Sequence, residues 1–398
     1  MLNLIYMQGK IILKKGKEYS IERFHPWIFS GAIQETVGDL TDGCWVEVLS
    51  HRNKHLGAGH YQKGSITVRM LSFDGIPSSD FWTKKIHRAL QLRKSAGIPS
   101  DSTNAFRLIH GEGDGLPGLI IDVYNGIAVV QAHSVGMHID RNNIVEGLKQ
   151  NFQENLKAVY YKSQTTLPGK DRENFSDEYL LGMSGVPHLI HENGNRFLVD
   201  WEEGQKTGFF LDQRDNRKLL STYSTGKRVL NTFCYSGGFS IYALVAQAEL
   251  VHSVDASEKA ISLTRKNIEL NGFNAVANAC FAEDVFDFMK DKQNMYDVIV
   301  LDPPAFAKHR DARHQAVKGY QRLNVEAMKI IRAGGIIFTF SCSQVVDKKL
   351  FYDTIVSAAI QAGRQIKVLH QLSQAPDHPV SIFHPEGEYL KGLVLYVE

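Results

Sequence analysis

The chain has 398 residues, 43% of them hydrophobic and 22% charged, which supports two or three domains and describes an ordinary soluble protein. Its formal net charge is only +2, so any affinity for nucleic acid has to come from local basic patches. The four cysteines (Cys44, Cys234, Cys280, Cys342) lie far apart with no Cys-x-x-Cys pair, which excludes a zinc knuckle or disulfide framework and fits a reducing cytoplasm.

The first residues, Met1 to Gln8, lack the basic leader and cleavage site of a secretory signal, and no apolar run is long enough to span a membrane. A cytoplasmic location with no membrane partner is therefore expected. Residues 1–75 read as a small all-β domain, with short alternating segments such as Cys44–Leu49 and Ser65–Leu71 separated by glycines at 43, 57, 59 and 64. Asp74 to Asp80 is a linker, and Phe81 to Ala96 is a helix closed by Gly97 and Pro99.

Residues 76–190 form an α+β middle region. Gly118–Tyr124 and Ile127–Ala132 flank an Asn125-Gly126 turn and predict a hairpin. A helix is expected over Ile139 to Asn155, a strand over Lys157 to Tyr161, and a polar loop over 163–178. Val186 to Asp200 reads as a second hairpin, around Asn193-Gly194.

Residues 191–398 form the third region. From about residue 205 strands and helices alternate, which predicts a doubly wound, mostly parallel sheet of the α/β class, Rossmann-like. Successive strands end at Arg228–Phe233, Leu250–Asp255, around Ala279–Phe281, at Leu301-Asp302, and at Gly335–Ser341. A helix covers Ser257 to Leu270, and another covers Leu323 to Ile331.

The segment Tyr296 to Phe306 carries the most information. A run of β-branched and aliphatic residues delivers Asp302 to a Pro303-Pro304 turn that stops the strand. Ligands of open α/β sheets sit beyond the carboxyl ends of the strands, so Asp302 falls where chemistry is done. Gly237-Gly238 follows the first strand, but neither Gly-x-Gly-x-x-Gly nor Gly-Lys-Ser/Thr is present. A cofactor without phosphates needs less: close backbone approach, then carboxylates for ribose hydroxyls and an adenine amine. Asp255, eighteen residues beyond Gly237, and Asp284 after the third strand supply these. Each acid alone is an ordinary helix N-cap. Together, four strand ends bearing Gly-Gly, Asp, Asp and Asp-Pro-Pro have the arrangement of a class I S-adenosylmethionine methyltransferase. Asn231, Phe233, Tyr235, Ser257, Val285 and Pro303, beside these positions, complete the expected cofactor set.

Cys342 ends an apolar strand, flanked by Ser341 and Ser343, on the edge that faces the Asp302 cleft. Structural burial accounts for most lone cysteines, and it accounts for Cys44, Cys234 and Cys280. The location of Cys342 points to a nucleophile instead. Cytosine C5 needs activation, and a thiolate adding at C6 creates an enamine whose C5 attacks a sulfonium methyl. Asp302 could hydrogen-bond the pyrimidine N3/N4 edge. Neighbouring basic groups are expected to lower the thiol pKa.

These residues resemble the PUA-domain-containing 23S ribosomal RNA cytosine-C5 methyltransferases over nearly the whole chain. Arg23 to Ile33 with Leu56 to Tyr61 looks like the N-terminal PUA module, and Arg107 to Asp122 like the start of the middle domain. Gly204 to Arg217, with Phe209-Phe210-Leu-Asp212-Gln213-Arg214, is the block most particular to that family. The resemblance implies S-adenosylmethionine as cofactor, ribosomal RNA (23S) as partner, Gln213 and Arg214 bordering the cofactor cleft, Asp302 at the target base and Cys342 as nucleophile; a homodimer is allowed for. One departure stands out. Better-known RNA cytosine methyltransferases carry Asp-x-Pro-Cys where this chain has Asp302-Pro-Pro-Ala, so the base that removes the C5 proton is unassigned.

Between Lys308 and Arg322 five basic residues (Lys308, Arg310, Arg313, Lys318, Arg322) meet one acid, with His309, His314 and Tyr320 interleaved. Phosphate contact through Lys308, Arg310 and Arg313 and stacking on Tyr320 are expected; a solvated helix face is the competing account. Lys10, Lys14, Lys15, Lys17 and Arg23 form a second cluster, diluted by Glu18 and Glu22. Two other functions compete: an amino-group methyltransferase clamping a planar amine beside Asp302-Pro-Pro-Ala-Phe306, and a silent RNA-binding protein on a methyltransferase scaffold.

Overall fold

The computed structural model describes residues 6–168, 175–274, 277–307 and 310–398, which form two compact units. The first comprises Met1–Ile190, Val199–Leu211 and Pro376–Gly387; the second comprises His191–Leu198, Asp212–Ala375 and Glu388–Glu398.

In the first unit, β1 (Met7–Leu13), α1 (Glu18–Glu22), β2 (Trp27–Phe29), β3 (Ile33–Val37), β4 (Trp45–Leu49), β5 (His55–Tyr61) and β6 (Ile66–Ser72) build a six-stranded sheet in the order β2-β6-β5-β4-β1-β3. Alternation along these strands buries Ile11, Leu13, Ile28, Val46, Val48, Val68 and Met70 in one core. The β5–β6 pair closes too tightly for side chains at its glycines: a Cβ on Gly59 would lie 2.1 Å from the Arg69 carbonyl oxygen.

The same unit continues with α2 (Phe81–Ser95), β7 (Ala105–His110), β8 (Leu119–Tyr124), β9 (Ile127–Ala132), α3 (Val135–Ile139), α4 (Arg141–Phe152), β10 (Ala158–Tyr161) and β11 (Glu178–Leu181). These strands form a five-stranded sheet, β11-β10-β9-β8-β7. The helix expected over 139–155 is α4 with a short 3-10 turn after it, and a separate short helix, α3, precedes it. Ser134 caps α3 by accepting from the Met137 amide, and the chain breaks at Asp140, whose Oδ2 accepts from Trp45 Nε1 at 2.8 Å and pairs with His60 Nε2 at 2.9 Å. The stretch Pro376–Gly387 returns to this unit, where Arg93 donates to the Asp377 carbonyl and Asp377 Oδ2 accepts from the Arg107 amide.

The ribbon β12 (His188–Glu192) and β13 (Asn195–Val199) leads into the second unit. There follow α5 (Arg214–Ser221), β14 (Arg228–Thr232), α6 (Gly238–Val245), β15 (Leu250–Asp255), α7 (Glu258–Leu270), β16 (Asn278–Ala282), α8 (Val285–Met289), β17 (Tyr296–Leu301), α9 (Arg313–Ile330), β18 (Ile331–Ser341), α10 (Lys348–Ala362), β19 (Ile366–Leu372) and β20 (Lys391–Val397). The sheet order is β16-β15-β14-β17-β18-β20-β19, parallel throughout except for β20, which is antiparallel to both neighbours. Strand order therefore reverses between β14 and β17, and this opens a crevice at their carboxyl ends. Fully buried Leu230, Val254, Ile299, Leu301, Ile337 and Leu395 explain the aliphatic strands.

Helix α9 begins ten residues before the expected Leu323. From Arg313 onward the basic stretch lies on this helix, which buries Ala316, Tyr320 and Leu323. Among the described residues, no helix is long and apolar enough to cross a membrane.

Candidate active site

The loop after β14 is the first wall of the crevice. Phe233 (φ 53°), Tyr235 (φ 48°) and Gly237 (φ 77°) all lie in the left-handed region. For the two aromatic residues that conformation costs about 1–3 kcal/mol each and persists only under outside constraint. The constraint comes from hydrogen bonds: the Cys234 amide donates to Val254 O at 3.0 Å, Thr264 Oγ1 to Tyr235 O at 2.9 Å, and Asn267 Nδ2 to Ser236 O at 2.8 Å. Gly237 abuts Thr264 so closely that a Cβ would lie 2.7 Å from its Cγ2. Cys234 is buried beside Thr264, and burial pushes its thiol far up, which suits packing.

Asp255 closes the adjacent strand end. Its Oδ2 accepts the Tyr235 amide at 3.0 Å and its Oδ1 accepts the Ser257 amide at 2.9 Å. A carboxylate oxygen accepts about two hydrogen bonds, so each retains capacity for a hydroxyl. Ser257 caps α7 through the Ala260 amide. Asp284 caps α8, its Oδ1 accepting the Phe286 and Asp287 amides. Val285, next to it, is buried. Asn231 is buried under the loop: its amide donates to Ser240 Oγ at 2.8 Å, while its Oδ1 has no hydrogen-bond partner.

A carboxylate at the second strand end repels a phosphate and accepts from a ribose diol. The acceptor capacity left at Asp255 and Asp284 fits a nucleoside without phosphates, whose hydroxyls and exocyclic amine can donate to carboxylates.

The fourth and fifth strand ends hold Asp302 and Cys342, the two residues expected from the sequence to react. β17 and β18 run parallel with Leu301 opposite Thr339, which brings Asp302 and Cys342 out on neighbouring strands. Cys342 Sγ lies 4.0 Å from the Pro303 carbonyl oxygen. Burial, then the charge of Asp212, push the Asp302 carboxyl up to about 7, against a hydrogen bond from Gln213 and the charge of Arg217. Gln213 is oriented by Asn216, whose Nδ2 donates to Gln213 Oε1 at 2.6 Å and leaves the Gln213 amide to face Asp302. Arg214 and Arg217 are buried around Glu192, and Arg217 grips it with hydrogen bonds of 2.8 and 2.7 Å. Arg214 therefore takes part in an internal ion network.

Asp212 stands in the Phe209–Arg217 block, and the sequence assigns it no role of its own. Its Oδ2 accepts the Tyr389 hydroxyl at 2.6 Å, and its buried Oδ1 has no hydrogen-bond partner. Lys391 is a second addition. It is buried and donates to the carbonyls of Ser343 and Tyr389, both at 2.7 Å. No sequence signal marks it, because β20 reaches this edge only by pairing antiparallel to β18.

The environment of Cys342 corrects one expectation. Among the described residues, its one basic neighbour does not bring the pKa below the ordinary thiol value. Burial and the charges of Asp302 and Asp212 raise it to about 11, and Lys391 opposes them only in part. Tyr320 is a second correction. It is fully buried, its hydroxyl bonded to Ser343 Oγ at 3.1 Å and its ring packed edge-on against Phe306 and Phe351, so it offers no face to a base. Arg313 is half exposed and 3.8 Å from Asp347. Lys308, His309 and the Arg310 side chain lie outside the described residues.

Comparison with known proteins agrees with this geometry. Residues 106–387 match the S-adenosylmethionine-dependent methyltransferase family and residues 11–73 match the PUA-like domain. The chain is similar to the protein named ribosomal RNA large subunit methyltransferase I of Pseudoalteromonas atlantica, at 39% identity over 98% of this chain and all of that one. Its similarity to the protein of the same name from Escherichia coli is 37%, again over 98% of this chain and all of the relative. Among solved structures, SMU.776 complexed with SAH superposes with a TM-score of 0.84 at 25% identity, covering 98% of this chain and 100% of that chain.

Proposed function

Because this chain belongs to the S-adenosylmethionine-dependent methyltransferases with an N-terminal PUA-like domain, the family of the ribosomal RNA large subunit methyltransferases I, we propose that it forms 5-methylcytosine in 23S ribosomal RNA through a Cys342 adduct. The observation that carries this reading is the pairing of a half-buried cysteine with a half-buried acid, Asp302, on adjacent strand ends of the crevice.

The chemistry follows from these groups. The Cys342 thiolate adds to C6 of cytosine, and a new S–C6 bond forms as the ring electrons move through C5 and C4 to N3. Asp302, held near half-protonation at neutral pH, donates its proton to N3. Bound S-adenosylmethionine supplies the methyl group that C5 then takes. Loss of the C5 proton to a base, expulsion of the Cys342 thiolate and return of the N3 proton to Asp302 restore the ring and the acid. Asp255 and Asp284 hold ribose and adenine, the loop from Phe233 to Gly237 provides backbone contact, and Gln213 orients Asp302. Phosphate contact through Lys308, Arg310 and Arg313 belongs to this proposal.

The amine-clamp reading needs an aromatic ring free to cover a planar amine. The Phe306 ring instead lies edge-on to Tyr320, centroids 4.7 Å apart, and touches Gly319. The test is methylation of under-modified ribosomal RNA with isotopically labelled S-adenosylmethionine, then mass spectrometry of the nucleosides. Label in 5-methylcytidine, lost in Cys342→Ala, is expected. Label in an N-methylated base, or normal turnover by Cys342→Ala, overturns the mechanism.

A further inference from the structure

The register of the sheet places Lys391 around Cys342. Ser341, the residue before the cysteine, faces Lys391 across the β18–β20 ladder. The Lys391 ammonium reaches forward to the carbonyl of Ser343, the residue after it, at 2.7 Å. The side chain therefore spans the cysteine from one neighbour to the other. Its second bond, to the Tyr389 carbonyl, ties it to the residue whose hydroxyl holds Asp212. Two acceptors leave the third hydrogen of an ammonium without an assigned role.

We propose that Lys391 is a positioning residue for the Cys342 thiolate, with the reactive state of the enzyme being a thiolate–ammonium pair across this strand edge. The inference rests on the reading of Cys342 as nucleophile. The pair forms by transfer of one proton from Sγ to the neutral amine, or by loss of the thiol proton to water when the amine already carries its own. In both routes the S–H bond breaks, its electron pair stays on sulfur, and Lys391 ends as the ammonium.

The surrounding charges explain why such a residue is needed. Cys342 faces Asp302 and Asp212, which oppose a thiolate, and Lys391 is the cation that favours one. Lys391 itself is brought down to about 8 by burial, with Cys342, Asp347 and Glu388 acting upward and Lys348 acting downward. Lys348 is paired with Glu388 at 2.5 Å, which spends much of both charges on each other. A lysine that titrates near physiological pH can exchange a proton with a thiol, whereas an ordinary surface lysine cannot.

The test is the pH profile of Cys342 alkylation by iodoacetamide in the full-length protein, read on the Cys342 peptide by mass spectrometry, in wild type, Lys391→Gln and Lys391→Arg. Glutamine keeps two donors without charge; arginine keeps charge and donors but does not release its proton. The expected order of midpoints is Arg at or below wild type and Gln above it by one pH unit or more, equal to about tenfold slower alkylation near pH 8. A Gln midpoint equal to wild type overturns the proposal, and so does an equal rise in both variants, which would mark a structural role. If Lys391→Gln does not fold, arginine decides alone: it should remove the inflection near pH 8 from the wild-type profile, and an unchanged inflection refutes the pair. Methyl transfer by Cys342→Ala separates the two claims. Normal turnover there would sink the nucleophile while the alkylation shift could still stand.

Discussion

The backbone amide of Tyr235 donates to Asp255 Oδ2 at 3.0 Å, so the strained loop after β14 and the carboxylate ending β15 support each other. Tyr235 needs this bond because its φ of 48° is unfavourable for a bulky residue. Asp255→Ala should therefore remove both a ribose acceptor and a loop clamp. We expect S-adenosylhomocysteine affinity to fall by more than tenfold in titration calorimetry, with Asp255→Asn intermediate because its carbonyl still accepts one hydrogen bond. Equal affinity in all three proteins would place the cofactor elsewhere.

Asp302 makes the stability of the free protein depend on pH. Its folded-state pKa is raised to about 7, so folding binds its proton more tightly than the unfolded chain does. The stabilising contribution is complete below the unfolded carboxylate pKa and is lost as pH rises through about 7. Asp212 is one cause of the rise, and Asp212→Asn should flatten this dependence. Urea midpoints measured from pH 4 to 8 check it; a variant as pH-dependent as the wild type would remove Asp212 from the account.

Glu192 and Arg217 form a buried, bidentate ion pair that ties the β12–β13 ribbon to α5. Removing one partner leaves the other charged and buried. Glu192→Ala should cost about 3–5 kcal/mol in unfolding free energy. Arg217→Met with Glu192→Leu should recover much of it, which a thermal melt would show.

Within the basic stretch the structure separates the half-exposed Arg313 from the fully buried Tyr320. Neutralising Arg310 and Arg313 together should weaken RNA binding and reduce the slope of log affinity against log salt by about 1–2. Tyr320→Phe should leave RNA affinity unchanged and lower stability by about 1 kcal/mol through the lost bond to Ser343. Reduced RNA affinity in a normally folded Tyr320→Phe protein would reopen the stacking role.

Much of this protein is legible along the chain, because local chemistry decides it. Aliphatic runs closed by Gly-Gly, Asp or Pro-Pro identify parallel strands and the ends that face a ligand, since both depend on short-range pattern. Asn125-Gly126 and Asn193-Gly194 mark their hairpins for the same reason. Three features are set by tertiary structure alone. The last strand, β20, enters between β18 and β19, so Lys391 meets Cys342 from a point 49 residues further along the chain. Asp212 gains its influence from burial beside Asp302, which a sequence motif does not encode. From Arg313 the basic stretch is helical, and its period turns Tyr320 inward while Arg313 stays outside. Strand ends follow from neighbours in sequence; protonation and exposure follow from neighbours in space, because desolvation and Coulomb energy depend on what surrounds a group in three dimensions.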